Sequence, residues 1–575
     1  MHDERFSTWK MFWRIFRGYW ISEKKWEAWA TLAAVILLNL GMVYLLVRFN
    51  SWQKAFFGMF EVGSYDLFWP YIGEFTVIAF IFIFFAANAL YLQESLRLRW
   101  RVWLTNQYLQ RWLDNQAYYR LQVLGSDTDN PDQRISEDVG AFARLTLELL
   151  VGFLRKVTSL VAFSVILWQL SGVLRFNIGE HTVTIHGYMF WACLVYSILG
   201  TWLAHLVGKK LIKLKYDQQK YEANFRFSMM RVRENSESIA FYGGEPMELV
   251  GFGGDFGQCV DNYKKLIQRH KLLSFYTNSY DQAAVIMPIL MAAPRLFNGG
   301  FQIGQFMQLT HAFASVKDAL SFFVSSYGTI ASLAAVIRRL GLFTQHMECA
   351  HALANGVRTR AGEAGHFQTH GLQVQLPDGR ALMRDCTLDL VCGQRLLVTG
   401  ASGCGKSTFL RTVSGIWPFG GGEVAVAPED TRLFLPQRPY LPLGTLRRAV
   451  CYPLQADVPD ARLHEVLHKV QLEKLIPRLD DVDDWSRILS LGEQQRIAFA
   501  RALLFAPRWI FLDEATSALD EGREREMYTL LHAALPRAGI VSVGHRTTLF
   551  ALHDTELHLA GGAWCLRPIA AAQPA

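Results

Sequence analysis

Residues 394–413 read QRLLVTGASGCGKSTFLRTV, and they decide the fold of the chain's second half. An apolar run leads into a glycine turn and then into residues that start a helix. From Gly400 to Ser407 the stretch fits GxxxxGK[ST], the spacing of a phosphate-binding loop. Glycines let backbone N–H groups close around phosphate oxygens, and the positive end of the following helix adds to their field. Gly400, Ser402, Gly403, Cys404, Gly405, Lys406, Ser407 and Thr408 form this expected cradle. Lys406 would neutralise the outer phosphates, and Ser407 would supply an oxygen to Mg²⁺. Alone, the loop says only that a nucleotide binds.

The residues that follow narrow the reading. RWIFLDEATSALD (508–520) ends an apolar strand in Asp513, a magnesium partner, and Glu514, placed to activate an attacking water. SVGHR (542–546) brings His545 after another β-rich run, where it could hold the γ-phosphate and that water. Gln437 in FLPQRPY (434–440) could sense nucleotide or metal. Each has a plain alternative: glutamates often begin helices, Gln437 could sit in an ordinary loop, and a lone histidine is usually structural. A further stretch, LSLGEQQR (489–496), places Ser490, Gly492 and Glu493 at the start of a helix as a second phosphate-recognition element. One cradle does not need two such elements.

Taken in this order, the motifs resemble the ATP-binding-cassette transporters, with Walker A, glutamine loop, signature, Walker B, D-loop (SALD, 517–520) and His switch. The resemblance explains the second element. In that family the signature serine and glycine contact ATP held by the cradle of another cassette, so LSLGE is a lid for a partner's nucleotide. It implies ATP and Mg²⁺ as ligands, with Ser407, Gln437 and Asp513 around the metal. It also implies a half-transporter completed by a second identical chain. NPDQRISEDV (130–139), ESIAFYGGE (237–245) and RPYLPLGTLR (438–447) look like the subfamily holding peroxisomal fatty-acyl transporters and the bacterial BacA/SbmA-related proteins. That likeness implies coupling helices at NPDQR and FYGGE, and import of hydrophilic solutes such as cobalamin or peptides; the peroxisomal relatives imply acyl-CoA instead. Three departures stand out. LSGGQ has become LSLGE, LQVQLPDGR (372–380) offers Leu376 and Pro377 where an adenine-stacking aromatic is usual, and DDVDDWSR (480–487) lacks the glycine-containing sequence of multidrug exporters.

Composition supplies the membrane half. The 575 residues are 51% hydrophobic, and the long apolar runs lie before residue 340. About twenty apolar residues make one helical crossing. WATLAAVILLNLGMVYLLV (29–47) is the clearest, with others near 68–92, 149–174, 187–208, 272–298 and 305–335. The last two are interrupted by polar residues. Seven Lys/Arg lie in 93–148 and eleven in 209–270, against Arg48, Lys54 and Arg175 in the three short loops. By the positive-inside rule the N-terminus, both long segments and the ATPase face the cytosol. This topology accounts for the net charge of +7, and the spans argue against nucleic acid as a partner.

The expected architecture is a six-helix exporter-type membrane domain (26–340), a linker (341–365), an α/β P-loop ATPase domain (366–567) and a tail (568–575). Residues 1–25 form an amphipathic segment for the inner leaflet of, by the bacterial resemblance, a bacterial inner membrane; an extension of the first span is the alternative. The eight cysteines have neither disulfide nor zinc spacing. In the last two spans Gln308, His311, Ser315 and Asp318 fall on one helical stripe, with Asn278 and Asp281 nearby. Charged groups at mid-bilayer cost ~2.5–3.5 kcal/mol, so these residues are expected to face a wet cargo cavity. Glu74, Asn88 and Lys156 are weaker additions. Hydrogen bonding between helices is the alternative. An ATP-driven transporter is the reading Glu514 and His545 favour over an ATP-gated channel or regulator, and a lipid or drug exporter is the nearest transport alternative.

Overall fold

The computed structural model describes residues 8–124, 130–178, 181–297, 302–353, 356–454 and 458–569. Its contacts divide the chain into Met1–Gln110 with Asp129–Thr344, and Arg111–Thr128 with Gln345–Ala575.

Among the described residues the first unit is helical apart from one hairpin. α1 (Thr8–Ile21) and α2 (Lys25–Val62) are followed by α3 (Phe68–Leu113), whose last turn passes into the second unit along with α4 (Ala117–Val123). α5 (Pro131–Gln133) leads to α6 (Val139–Ser171), and then strands β1 (Val173–Ile178) and β2 (His181–His186) pair with Val173 opposite His186. α7 (Tyr188–Glu234), α8 (Ser236–Tyr242), α9 (Glu245–Phe297), α10 (Ile303–Leu320), α11 (Phe322–Ser325) and α12 (Tyr327–Ala352) complete the run. Among the described residues four helical stretches, containing α2, α3, α6 and α7, are long and apolar enough to cross a membrane. The other two expected spans lie on α9 and on α10 to α12. The stretch 305–335 is not one helix. It stops at Leu320 and restarts twice, where Ser321 leaves helical geometry and the Ser325 hydroxyl donates to the Phe322 carbonyl.

α10 is the hub, packed against α2, α6, α7 and α9. Phe163, Leu167, Cys193, Leu309, Phe313 and Val316 are buried together there. Gly304 lets α10 lie directly on α2: an added Cβ would stand 2.1 Å from the Lys54 carbonyl oxygen. α1 is separated from α2 by a turn at residues 22–24, so it does not extend the first span. Its Ile15, Tyr19 and Trp20 are buried, with Tyr19 stacked on Trp100, while Trp9, Lys10, Trp13 and Arg17 are exposed.

The second unit is layered. The parallel strands β8 (Arg432–Leu435), β11 (Trp509–Asp513), β12 (Gly539–Val543), β6 (Arg395–Gly400) and β13 (Thr555–Ala560) form its central sheet, closed by antiparallel β14 (Ala563–Pro568). A second sheet runs β3 (Arg358–Ala361), β7 (Gly420–Val426), β4 (His366–Gln375), β5 (Ala381–Val391). The apolar strands β6, β11 and β12 are buried on both faces, which is what continuous hydrophobic runs in a parallel sheet require. One core, with Phe367, Phe409, Trp509 and Phe511, fills the space between the sheets. Another is built from helices α14 (Leu446–Cys451), α15 (Asp460–Lys469), α17 (Leu491–Phe505) and α18 (Glu521–Ala534). Short strands β9 (Gly444–Thr445) and β10 (Val482–Asp483) pair beside α16 (Trp485–Ile488). The expected linker is partly ordered structure: α12 continues to Ala352 and β3 pairs with β7. Arg120 of α4 donates to the Ala350 and Leu353 carbonyls, which ties α4 to the end of α12 within this unit.

Candidate functional site

β6 ends at Gly400, and the chain turns through Ala401–Gly405 into α13 (Lys406–Val413). Gly400, Gly403 and Gly405 hold positive φ angles of 139°, 78° and 106°, conformations that L side chains rarely adopt. Ser402 and Gly403 are exposed at the tip, the Cys404 N–H donates to the Ala401 carbonyl at 3.3 Å, and Thr408 lies half-buried in the first turn of α13. Lys406 is buried, and its ammonium donates to the carbonyls of Gly400 (2.8 Å) and Ala401 (3.1 Å). The expected cradle residues are therefore contiguous around one loop.

The acidic residues arrive from β11. The Ser407 hydroxyl donates to Asp513 Oδ1 at 2.8 Å. Burial pushes the Asp513 carboxyl above its ordinary range, against the lowering pull of Ser407, Arg411 and Lys406. Glu514 sits just past the strand end with φ +48°, an uncommon conformation for a non-glycine residue, and its N–H donates to the Val543 carbonyl of β12. Gln437 donates its side-chain amide to Glu514 Oε2 at 3.0 Å, and His545 Nδ1 lies 3.8 Å from Glu514 Oε1. Two residues far apart in sequence, Gln437 and His545, thus converge on the Glu514 carboxylate. Leu382, beyond the turn of the β4–β5 hairpin, packs against Gly405. Leu376 is half-buried and Pro377 exposed.

The signature opens α17. Ser490 is its N-cap and forms a capping box with Glu493. Gly492 leaves room for the D-loop: an added Cβ would stand 3.2 Å from the Ala518 carbonyl oxygen. The partner of the Ser490 hydroxyl is Glu493, not a residue of the cradle in its own chain. The site residues accordingly form two groups.

Gln495 links those groups and was not legible as a functional residue. Fully buried, it donates to the Gln437 carbonyl and to Ser517 Oγ, both at 3.0 Å, and accepts from the Ala518 N–H at 3.0 Å. Glutamine loop, D-loop and signature helix meet on this one side chain. Arg546 adds a second tie, donating to the Ser517 and Leu519 carbonyls. The doubled glutamine after the signature was the available signal, but nothing local says which of the two points inward. Gln495→Leu would strand these backbone and hydroxyl groups, at about 1–3 kcal/mol for each buried group left unpaired. We expect turnover to fall at least about tenfold while ATP binding survives, because coupling between loops is lost rather than the cradle. Wild-type turnover in steady-state ATPase assays would remove Gln495 from this role.

The membrane residues divide. A cavity of about 580 Å³ lies among α7, α9, α10 and α11, and Asp281, Lys317 and Asp318 line it together with Tyr276, Tyr280 and His205. Lys317 donates to Asp281 at 2.7 Å, and Lys156 of α6 pairs with Asp318. The remaining residues of the expected cargo set are elsewhere. Gln308 is buried, its carbonyl accepting from Asn50 of α2, and His311 Nδ1 is 3.1 Å from the same Asn50 amide. Ser315 is half-buried and outside the cavity lining, and Asn278 donates to Ser274. Glu74 pairs with Arg48, and Asn88 donates back to Phe84. The stripe splits because α10 is surrounded: one helical face meets α2 at one end and the cavity at the other.

A P-loop ATPase sharing a chain with long apolar helices defines an ATP-driven membrane machine. Residues 15–297 match the ABC transporter transmembrane region 2 family and residues 383–517 match the ABC transporter family. The chain is 33% identical to the inner membrane ABC transporter ATP-binding protein YddA of Escherichia coli, over 94% of this chain and 95% of that protein. It is 29% identical to the human lysosomal cobalamin transporter ABCD4, over 93% of each. A bacterial Atm1-family ABC exporter with ATP bound has the same fold, with a TM-score of 0.72, 17% identity, and 95% and 96% of the two chains covered. The chain belongs to the ABC transporter family and sides with its subfamily D. It is a half-transporter of exporter-type fold that binds ATP and couples its hydrolysis to transport across a membrane.

Proposed function

We propose that two copies of this half-transporter form a homodimer in the bacterial inner membrane, with the ATPase domains cytosolic. Each ATP lies between the cradle of one chain and the signature of its twin, and hydrolysis drives uptake of hydrophilic solutes. The observation that carries this reading is the division of the site: Gly400–Thr408, Gln437, Asp513, Glu514 and His545 gather at the cradle, while Ser490, Gly492 and Glu493 open a different helix.

Within that reading Lys406 leaves the Gly400 and Ala401 carbonyls for the β- and γ-phosphates. Ser407 and Asp513, hydrogen-bonded and partly desolvated, suit a hard divalent cation, with the Gln437 amide oxygen as a further ligand. Mg²⁺ there would neutralise phosphate charge. Glu514 accepts a proton from the attacking water as its oxygen bonds to the γ-phosphorus and the bond to the ADP oxygen breaks. His545 and Gln437 hold the water and the γ-phosphate in line. The FYGGE tip exposes Phe241 and Tyr242, which supports its reading as a coupling element.

Paired charges on the cavity wall support a polar cargo over a lipid tail, because an acyl chain gains nothing from Asp281 and Asp318. The name of the human relative puts cobalamin among the solutes to test. ATP-driven movement into vesicles of defined orientation should be compared for cobalamin, a short polar peptide and acyl-CoA. Uptake of a polar solute in the cytosol-directed sense is expected. Transport of acyl-CoA alone, or outward movement alone, would overturn the corresponding part of the proposal.

A further inference from the structure

The signature of this chain differs in charge from the usual LSGGQ, since Glu493 stands where glutamine is common. A carboxylate at the first turn of α17 suits the helix itself. It is the wrong sign for a helix start that must receive the phosphates of another chain's nucleotide. The structure supplies the missing cation from a distant segment. Lys474, in the 3₁₀ turn Glu473–Arg478, forms an ion pair with Glu493 Oε1. The other oxygen, Oε2, accepts from both the backbone N–H and the hydroxyl of Ser490, each at 2.9 Å. The Glu493 side chain is only 13% exposed, whereas that of Lys474 is 66% exposed. Burial pushes the Glu493 carboxyl up, but the bonds from Lys474 and Ser490 outweigh it and hold the group below its ordinary range. The carboxylate is thus ionised, shared and locally neutralised.

We propose that Lys474 is a positioning residue of the composite ATP site: it cancels the charge of Glu493 and fixes the carboxylate that aims the Ser490 hydroxyl. This role rests on the reading that the signature completes a twin chain's site. Without Lys474, Glu493 keeps a full negative charge beside the arriving γ-phosphate, and one of its two anchors is gone. The loss falls on closing over ATP, and the proton transfer at Glu514 is untouched.

The test uses the full-length dimer in lipid nanodiscs and follows ATP hydrolysis against ATP concentration. Lys474→Ala should raise KM for ATP about threefold to tenfold, the range for a charge near a helix-bound phosphate, with kcat changed by less than about twofold. Lys474→Arg, which keeps the charge, should recover most of that affinity. Glu493→Gln placed in the Lys474→Ala background should lower KM again, since the uncompensated charge is removed. A purely structural tie between the two segments would not be relieved by the second substitution. An unchanged KM in Lys474→Ala, or a raised KM that Glu493→Gln does not correct, overturns the proposal. Ser490→Ala measured alongside separates the two ideas. Full hydrolysis by Ser490→Ala would remove the shared site itself, whereas its loss with a normal Lys474→Ala KM removes only Lys474.

Discussion

Glu514→Gln should bind ATP and scarcely hydrolyse it, with turnover down about 100- to 10,000-fold, the contribution of a positioned general base. The substitution preserves shape and hydrogen-bonding reach, so Gln437 still has a partner 3.0 Å away and the strand end need not move. What disappears is the carboxylate that would take the proton from the attacking water. The backbone suits the proposed role: Glu514 has φ +48° with its N–H donating to the Val543 carbonyl, and its carboxylate lies past the end of β11 toward Gln437 and His545. With binding intact and cleavage blocked, ATP should accumulate in the closed dimer. Filtration binding should therefore show retained nucleotide, and cross-linking across the cassettes should become ATP-dependent and persistent. Unaltered hydrolysis by Glu514→Gln would take the base role away from this residue and leave the geometry around it without a function.

What could be read in advance was what is local along the chain. The loop from Gly400 to Ser407, the apolar strand ending in Asp513 and Glu514, and the capping pattern at Ser490 each place their chemistry within a few residues of the element that presents it. The contacts made at long range were not legible. Gln495 and Gln494 are neighbours with the same side chain, and only the packed position of α17 puts the first of these against Gln437 and Ser517. Lys474 is one cation among many until the fold brings it to Glu493. The membrane stripe failed as a guide to the cavity for a related reason: helical periodicity identifies a face but not the neighbour that covers it. Gln308 and His311 belong to the hydrogen-bonded seam with Asn50, while Asp318 opens on the cavity. Polar residues inside an apolar bundle satisfy each other where another helix is close, and face water only where none is.

The second large effect concerns the twin chain. Lys406→Ala disables the cradle of its own chain, and Ser490→Ala disables the signature; each homodimer should lose at least about 100-fold in hydrolysis, as removal of a single phosphate-stabilising donor does elsewhere. The mixed dimer separates two geometries. If each nucleotide were held within one chain, both chains of the mixture would be defective and no site would remain. If nucleotides are shared head to tail, both defects fall on the same site: the Lys406→Ala cradle faces the Ser490→Ala signature. The other site then pairs an intact cradle with an intact signature. Nucleotide retained after rapid desalting should therefore be one per mixed dimer and none in either homodimer. Hydrolysis should follow to the extent that one site can work alone. A mixed dimer as empty as its parents, or one retaining both nucleotides, would exclude sharing. The expectation of one rests on the separation of the two groups of residues: the hydroxyl of Ser490 is engaged at the head of α17 by Glu493 and not by the cradle of its own chain, at a helix start suited to receive a phosphate.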